Sequence, residues 1–313
     1  MLENENQKLV FGEEAFEIET EIRKRAAAVE QVLQKYLPKE EGRQKVVMEA
    51  MRYSILSGGK RLRPMLLAET YRMYGGSGEA VEPFLAAIEM IHTYSLIHDD
   101  LPAMDDDAYR RGRKTTHIVY GEAMGILAGD ALLNFAFETA SRAFALVQGE
   151  ELLRVAKAVS ILAGKAGIYG MLGGQVVDVC NEDNPAIDGD TLDVIYRLKT
   201  GALIEAAMTI GAVLAGADDL DLSLLGQAAQ KVGVAFQIQD DILDVTSTLE
   251  ELGKPVGSDE KNRKVTYVSL YGMDAAQRQV EHLTQQALSC MEQLSVRNEF
   301  LNALLLYLIK RRK

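Results

Sequence analysis

The sequence predicts an all-α fold, and three observations carry that prediction. Only six prolines occur in 313 residues (Pro38, Pro64, Pro83, Pro102, Pro185 and Pro255), and they punctuate long segments. Those segments are rich in Ala, Leu, Glu, Lys and Met, residues that lose little on entering a helix. The alternation of apolar and polar residues that marks strands and hairpins is missing.

The elements follow in order. Apolar residues recur at helical spacing, with charges between, over 13–36. A second helix is predicted over 42–57, ending at Gly58-Gly59. Further helices are predicted over 64–74, 80–100, 120–147, 150–180, 190–216, 221–246 and 274–310. Loops are expected at 75–79, 102–117, 181–189 and 251–264. None has the length or composition of an interdomain linker, and no repeat is present. The chain therefore reads as one domain over 1–313, with 1–12 as an N-terminal arm.

Composition narrows the function. A net charge of −12, from 34 basic and 46 acidic residues, argues against a nucleic-acid partner, which needs a basic face. It is also an odd balance for binding an anion, unless metal cations invert the local field. Cys180 and Cys290 form no CxxC pair and read as reduced thiols of a cytoplasmic protein. No run of about 18 uncharged apolar residues predicts a membrane span. The acidic N-terminus lacks the basic region of a signal peptide.

Two acidic clusters stand out. The first places five Asp among residues 99–107, directly after the apolar run MIHTYSLI. Adjacent carboxylates repel and Asp is a poor helix former, so the cluster is either a solvated helix end or a cation site. In a straight helix Asp99 and Asp105 would point about 120° apart. Pro102 should kink or end the helix and bring Asp105 back toward Asp99. In the second cluster, FQIQDDILD (236–244), Asp240 and Asp244 share a helix face, with Asp241 beside them and apolar neighbours. Oxygen-only ligands of this kind suit Mg²⁺. Zinc spacing is absent, and neither cluster has the alternating acidic pattern of a calcium-binding EF-hand.

Basic residues are concentrated too. Gly58-Gly59 precedes Lys60, Arg61 and Arg63, and a glycine pair lets backbone approach a ligand while the cations suit phosphate oxygens. Arg110, Arg111, Arg113 and Lys114 follow the first Asp cluster directly, and Lys199-Thr200-Gly201, Lys254 and Lys264 are single cations beside polar or small residues. The phosphate-binding GxxxxGK[ST] loop, a GxGxxG turn and a GxSxG elbow are all missing. The residues by themselves point to a metal-assisted diphosphate enzyme.

The motifs GGKRLRP (58–64), HDDLPAMDDDAYRRG (98–112), AGDALL (128–133), GGQVVD (173–178), KTG (199–201), FQIQDDILD (236–244) and KVTY (264–267) occur in an order that resembles the trans-prenyl diphosphate synthase family, and above all its bacterial farnesyl diphosphate synthases. The resemblance spans residues 42–270. It implies a bundle of about ten or more helices around a deep central cavity, usually in a homodimer. It further implies condensation of isopentenyl diphosphate with an allylic diphosphate, and three Mg²⁺ ions, with Mn²⁺ as an alternative.

By the same resemblance, Asp99, Asp105 and Asp240 are metal ligands, supported by Asp100, Asp241 and Asp244. Arg110, Lys199, Lys254 and Lys264 hold the allylic diphosphate, and Lys60, Arg63, His92 and Arg111 hold isopentenyl diphosphate. Lys199, Thr200 and Gln237 face the allylic cation, with Gln175 and Asp178 as supporting polar groups. Arg263 and Val268 depart from the family's usual Gly and Pro around the late Lys-Tyr motif.

Product length is the finer expectation. Tyr94 and Ser95 lie about one helical turn before Asp99. A bulky Tyr94 would floor the cavity and stop growth near the fifteen-carbon farnesyl product. A geranylgeranyl synthase is the nearest rival reading. A terpene cyclase would carry a different second metal motif and would lack GGKRLRP. A non-catalytic subunit of a heteromeric synthase would tend to lose the Asp motifs, and a purely structural acidic protein would need neither.

Overall fold

Two helices that are apolar on nearly every side form the centre of the molecule, as all-round hydrophobicity requires. They are α4 (Glu82–Asp99) and α10 (Ala202–Ala215). The computed structural model describes residues 8–11, 14–182, 184–246 and 265–310. Around the two central helices pack α1 (Ile18–Tyr36), α2 (Lys45–Ile55), α3 (Leu62–Met73), α6 (Glu122–Ser141), α7 (Glu150–Ala166) and α11 (Asp219–Thr246). A short α5 (Thr116–Tyr120) precedes α6, and α8 (Met171–Cys180) and α9 (Gly189–Ile195) lie between α7 and α10. The bundle is completed by α12 (Tyr267–Tyr271), α13 (Met273–Glu292) and α14 (Glu299–Lys310). Phe84, Ile88, Met90 and Ile91 from α4 meet Met65, Leu66, Leu67, Leu132, Leu162 and Leu203 in one fully buried core. The all-α expectation therefore holds.

The helices are more broken than the sequence suggests, and glycine and asparagine chemistry explains where. The predicted 150–180 helix divides at Gly167–Gly170, and the break requires glycine at 170, where a Cβ would lie 2.1 Å from the Lys165 carbonyl oxygen. The predicted 274–310 helix divides before α14, where the Asn298 side chain accepts a hydrogen bond from the Leu301 amide at 2.9 Å and caps a new start. Within 190–216 a π-turn, Tyr196–Gly201, separates α9 from α10. Of the arm read over 1–12, residues 8–11 form strand β1 (Lys8–Phe11), paired antiparallel with β2 (Glu14–Glu17).

Two helical stretches, Glu150–Cys180 and Gly189–Ala215, are long and apolar enough to cross a bilayer by length and composition alone. The second is largely enclosed by the bundle, and the first, continuous only across its Gly167–Gly170 break, presents apolar side chains at the surface.

One buried ion network fixes the entrance to α3. Arg61 sits in a left-handed conformation (φ 51°), with its side chain fully enclosed. It donates to Glu30 Oε1 and Glu89 Oε1, each at 2.6 Å, and to the Ile55 carbonyl. Among the three cations of GGKRLRP, Arg61 is thus a strut rather than a surface charge. Removing one partner of such a buried pair typically costs about 3–5 kcal/mol. Arg61→Leu should lower the thermal midpoint strongly, and adding Glu89→Leu should recover part of the loss; both are read by thermal denaturation.

Candidate active site

The first acidic motif is shaped by the end of α4. Asp99 is the last helical residue, and the chain then turns on itself. The amides of Met104 and Asp106 donate to the Leu101 carbonyl at 2.9 and 3.1 Å, and that of Asp105 donates to the Asp99 carbonyl at 2.9 Å. Ending the helix here, next to Pro102, brings Asp105 back beside Asp99 as the sequence predicts. Asp99 Oδ1 also accepts from Gln175 Nε2 at 2.8 Å, across from α8. The sequence groups Asp100 with the metal ligands, but the structure turns it inward. It is 4% exposed and receives Arg110 Nε at 2.7 Å and Nη2 at 2.6 Å. Burial pushes its carboxyl upward, with Arg110 opposing.

The predicted 102–117 loop contains a small hairpin instead, β3 (Tyr109–Arg110) paired with β4 (Arg113–Lys114). Arg111 and Gly112 form its two-residue turn with φ of 52° and 74°, the signature of a type I′ turn. Arg110 can therefore reach Asp100 while Arg111 donates to the Gly58 carbonyl. Gly59 adopts φ 141°, and a Cβ there would lie 2.6 Å from Arg111 Nη1, so it is Gly59 that leaves room for the guanidinium.

Cations crowd this end of the site. Arg63 Nε is buried without a hydrogen-bond partner among the described residues. Burial lowers Arg63 to about 10, with Glu89 opposing and Arg111 adding to the fall. Burial, then the charges of Arg63, Arg111, Arg110 and Arg61, hold His92 well below the usual imidazole range, so it is neutral. Burial likewise lowers Arg111, with Glu89 opposing and Arg61 and Arg110 assisting. Lys60 is exposed at the rim. Such mutual repulsion around an unsatisfied guanidinium is relieved by a bound anion.

The second acidic motif lies on α11. Asp240 is half-buried, while Asp241 and Asp244 are buried. Asp241, also expected as a ligand, lines the site and accepts from the Tyr196 hydroxyl and from the Tyr267 amide at 2.9 Å. Its carboxylate ties α11 to the π-turn and to α12. The π-turn presents Lys199 and Thr200 to the site. Lys199 Nζ pairs with Asp178 Oδ2 at 2.6 Å, and Thr200 Oγ1 donates to Gln237 Oε1 at 2.9 Å. Gln175 and Asp178 stand three apart on α8 and so share its face. A cavity of about 140 Å³ opens between these groups, lined by Asp178, Tyr196, Lys199, Thr200, Gln237 and Asp241.

Backbone contact holds the π-turn in place. A Cβ at Gly174 would lie 2.2 Å from the Lys199 amide nitrogen, and one at Gly233 would lie 2.5 Å from Gly201 Cα. The neighbours are main chain, so no side-chain movement could make room.

Among the described residues, no group of three His, Cys, Asp or Glu side chains converges to hold a metal by itself. Mg²⁺ needs no such group, because it keeps several waters and takes one or two carboxylates together with substrate phosphate. Asp99, Asp105 and Asp240 carry hard-oxygen donors of the kind such an ion takes.

Tyr94 is 5% exposed and packs edge-on against His98, whereas Ser95 bonds back to the His92 carbonyl of its own helix at 2.9 Å. Lys254 and Lys264 lie outside the described residues. The sequence reading missed Tyr196, Arg61, Gly174 and Gly233 as shaping residues. Only the small residues on either side of KTG, one in GGQVVD and one on the approach to FQIQDDILD, hinted at close backbone packing.

A family model described as polyprenyl synthetase matches residues 44–300. A geranylgeranyl diphosphate synthase of Cyanophora paradoxa is 43% identical over 272 residues, covering 87% of this chain and 89% of that one. A farnesyl diphosphate synthase of Escherichia coli is 44% identical over 271 residues, covering 85% and 90%. A solved geranyltransferase of Helicobacter pylori, complexed with magnesium and isoprenyl diphosphate, superposes with a TM-score of 0.79 at 30% identity, covering 96% of this chain and 97% of that one.

Two glycines on α11 separate close packing from ordinary space. A Cβ at Gly226 would meet nothing nearer than Glu205 Oε1 at 3.6 Å. Gly226→Ala should raise stability by about 0.5–1 kcal/mol through helix propensity. Gly233→Ala should lower it by about 1–3 kcal/mol through overpacking. Denaturant melts of both variants check the opposite signs.

Proposed function

The chain belongs to the polyprenyl synthetase family, and within it we propose a Mg²⁺-dependent synthase that joins isopentenyl diphosphate to an allylic diphosphate and makes chiefly farnesyl diphosphate. The observation that carries this reading is the pair of carboxylate motifs set beside a cluster of mutually repelling cations. The E. coli relative is named for the farnesyl product and the Cyanophora relative for the geranylgeranyl product, at nearly equal identity. The second reading is therefore a geranylgeranyl synthase. Buried Tyr94 favours the shorter product.

Each residue has a place in this reading. Asp99, Asp105 and Asp240 hold Mg²⁺, as the magnesium in the H. pylori neighbour supports, with buried Asp244 behind Asp240 on the same helix face. When bound, the ions neutralise charge on the leaving pyrophosphate. Asp100 and Asp241 act one step back, Asp100 by aiming Arg110 and Asp241 by fixing the π-turn. Arg110, Lys199, Lys254 and Lys264 hold the allylic diphosphate. Lys60, Arg63, His92 and Arg111 hold isopentenyl diphosphate, with His92 neutral and able to donate one hydrogen bond.

The chemistry follows from this placement. The allylic C–O bond breaks and pyrophosphate leaves with the electron pair. The isopentenyl double bond attacks the allylic carbon and forms the new C–C bond, and the two reactants are held for that encounter. A proton is then lost from the adjacent carbon to restore a double bond. No side chain of this site stands out as its base, so we assign it to the departing pyrophosphate. The hydroxyl of Thr200 and the amide of Gln237, bonded to each other, face the developing cation with their dipoles. The apolar wall around Tyr94 keeps water from it.

We further propose that the whole chain forms one cytoplasmic domain and works as a homodimer. Ile126, Leu127, Leu153, Ile168, Tyr169 and Val176 are exposed apolar residues of α6, α7, α8 and the turn before α8. A second copy would cover such a surface without any membrane. Light scattering should give twice the chain mass, and Tyr169→Glu with Val176→Arg should give the monomer. A monomeric wild type would remove the dimer from the account.

The activity itself is tested by incubation with isopentenyl and geranyl diphosphates. Pyrophosphate should be released with Mg²⁺ and not with EDTA, and chromatography should show mainly the fifteen-carbon product. No release with Mg²⁺ would sink the enzyme reading. A mainly twenty-carbon product would leave the activity standing and replace the farnesyl assignment.

A further inference from the structure

Tyr94 does not hold its own position. It meets His98, one turn later on α4, with ring centroids 5.8 Å apart and planes at 81°. That edge-to-face geometry is favourable by itself. His98 is in turn fixed from α6. Its Nε2 lies 3.1 Å from the Ile126 carbonyl oxygen and 3.8 Å from Asp130 Oδ1. The carbonyl can only accept, so Nε2 carries the proton. The ring fills the space that a side chain at residue 129 would need, because a Cβ at Gly129 would lie 2.0 Å from Nε2. His98 is therefore seated in a notch of α6 and packed nearly at right angles to the Tyr94 ring.

We infer that His98 and Gly129 set product length by fixing the Tyr94 ring, with His98 as a positioning residue and Gly129 as its seat. The inference rests on the reading of Tyr94 as the floor of the elongation cavity. His98 precedes the metal motif directly, yet its side chain faces α6 and its bonds are to α6. Its effect should fall on where growth stops. Without the His98 ring, Tyr94 can tilt into the vacated notch and deepen the cavity. With a methyl at residue 129, the ring is pushed out of its seat and Tyr94 loses the same support.

The two halves of the contact can be separated. His98→Gln keeps a donor for the Ile126 carbonyl but removes the ring. His98→Phe keeps the ring edge but removes the donor. Each variant, with Tyr94→Ala, Gly129→Ala and His98→Ala, is incubated as full chain with labelled isopentenyl diphosphate and dimethylallyl diphosphate. Chain lengths are separated by chromatography, and thermal melts confirm folding. Length distribution is the readout because loss of stability lowers the amount of every product alike.

The expected result is a roughly three- to tenfold rise in the ratio of longer to main product for His98→Gln, the scale of one lost aromatic edge contact. Gly129→Ala should move in the same direction, and His98→Phe should stay near wild type. If His98→Ala fails to fold, His98→Gln carries the test. Longer products from Tyr94→Ala with an unchanged distribution from His98→Gln and Gly129→Ala would overturn the inference and leave the floor standing. An unchanged distribution from Tyr94→Ala would overturn both.

Discussion

The site depends on one close backbone contact. The π-turn that carries Lys199 and Thr200 is wedged between α8 and α11, touching Gly174 on one side and Gly233 on the other. That contact sets how far α8 stands from α11. From it runs a continuous set of bonds: Asp99 to Gln175, Asp178 to Lys199, Thr200 to Gln237, and Asp241 to Tyr196. The carboxylates of the first motif are thereby placed relative to those of the second through main chain and short hydrogen bonds. Single-turn π-bulges are costly and often mark functional sites, and here the turn aims two side chains that a regular helix would spread differently.

Charge is arranged on the same plan. The protein as a whole is acidic, at −12, yet it packs Arg63, Arg110, Arg111 and His92 close enough to depress one another or their neighbours. The Arg61 network keeps that arrangement from collapsing, since Glu30 and Glu89 neutralise the enclosed Arg61 guanidinium. Arg63 keeps an unpartnered buried nitrogen among the described residues, and this is unfavourable until an anion arrives. Metal cations and a diphosphate are complementary to the two halves of such a site.

Much of this was legible in the sequence because it is local. The helical pattern, the spacing of Asp240 and Asp244, and the helix-ending effect of Pro102 are all set within a few residues. What was not legible depends on contacts between distant segments. Asp99 and Asp100 are neighbours in sequence, yet only contact with α8 and with the hairpin sends one to Gln175 and the other to Arg110. Nothing near Asp241 in the sequence shows that Tyr196 and Tyr267, from two other segments, bond to its carboxylate. The Arg111-Gly112 turn was missed because Arg is an uncommon residue at positive φ, and the glycine pair that receives its side chain lies some fifty residues earlier. Lys60, Arg61 and Arg63 read as one patch, but the left-handed backbone at Arg61 turns it into the core.

The central claim is that the two carboxylate motifs and the cation cluster together form a metal-dependent diphosphate site. Thermal denaturation with inorganic pyrophosphate measures this without relying on turnover, because a ligand that binds only the folded state raises the midpoint. The account predicts a clear rise with pyrophosphate and Mg²⁺ together, and a much smaller one when EDTA replaces the metal or when Asp99 and Asp240 are both changed to Asn. An equal rise in EDTA, or none with both ligands present, would contradict it.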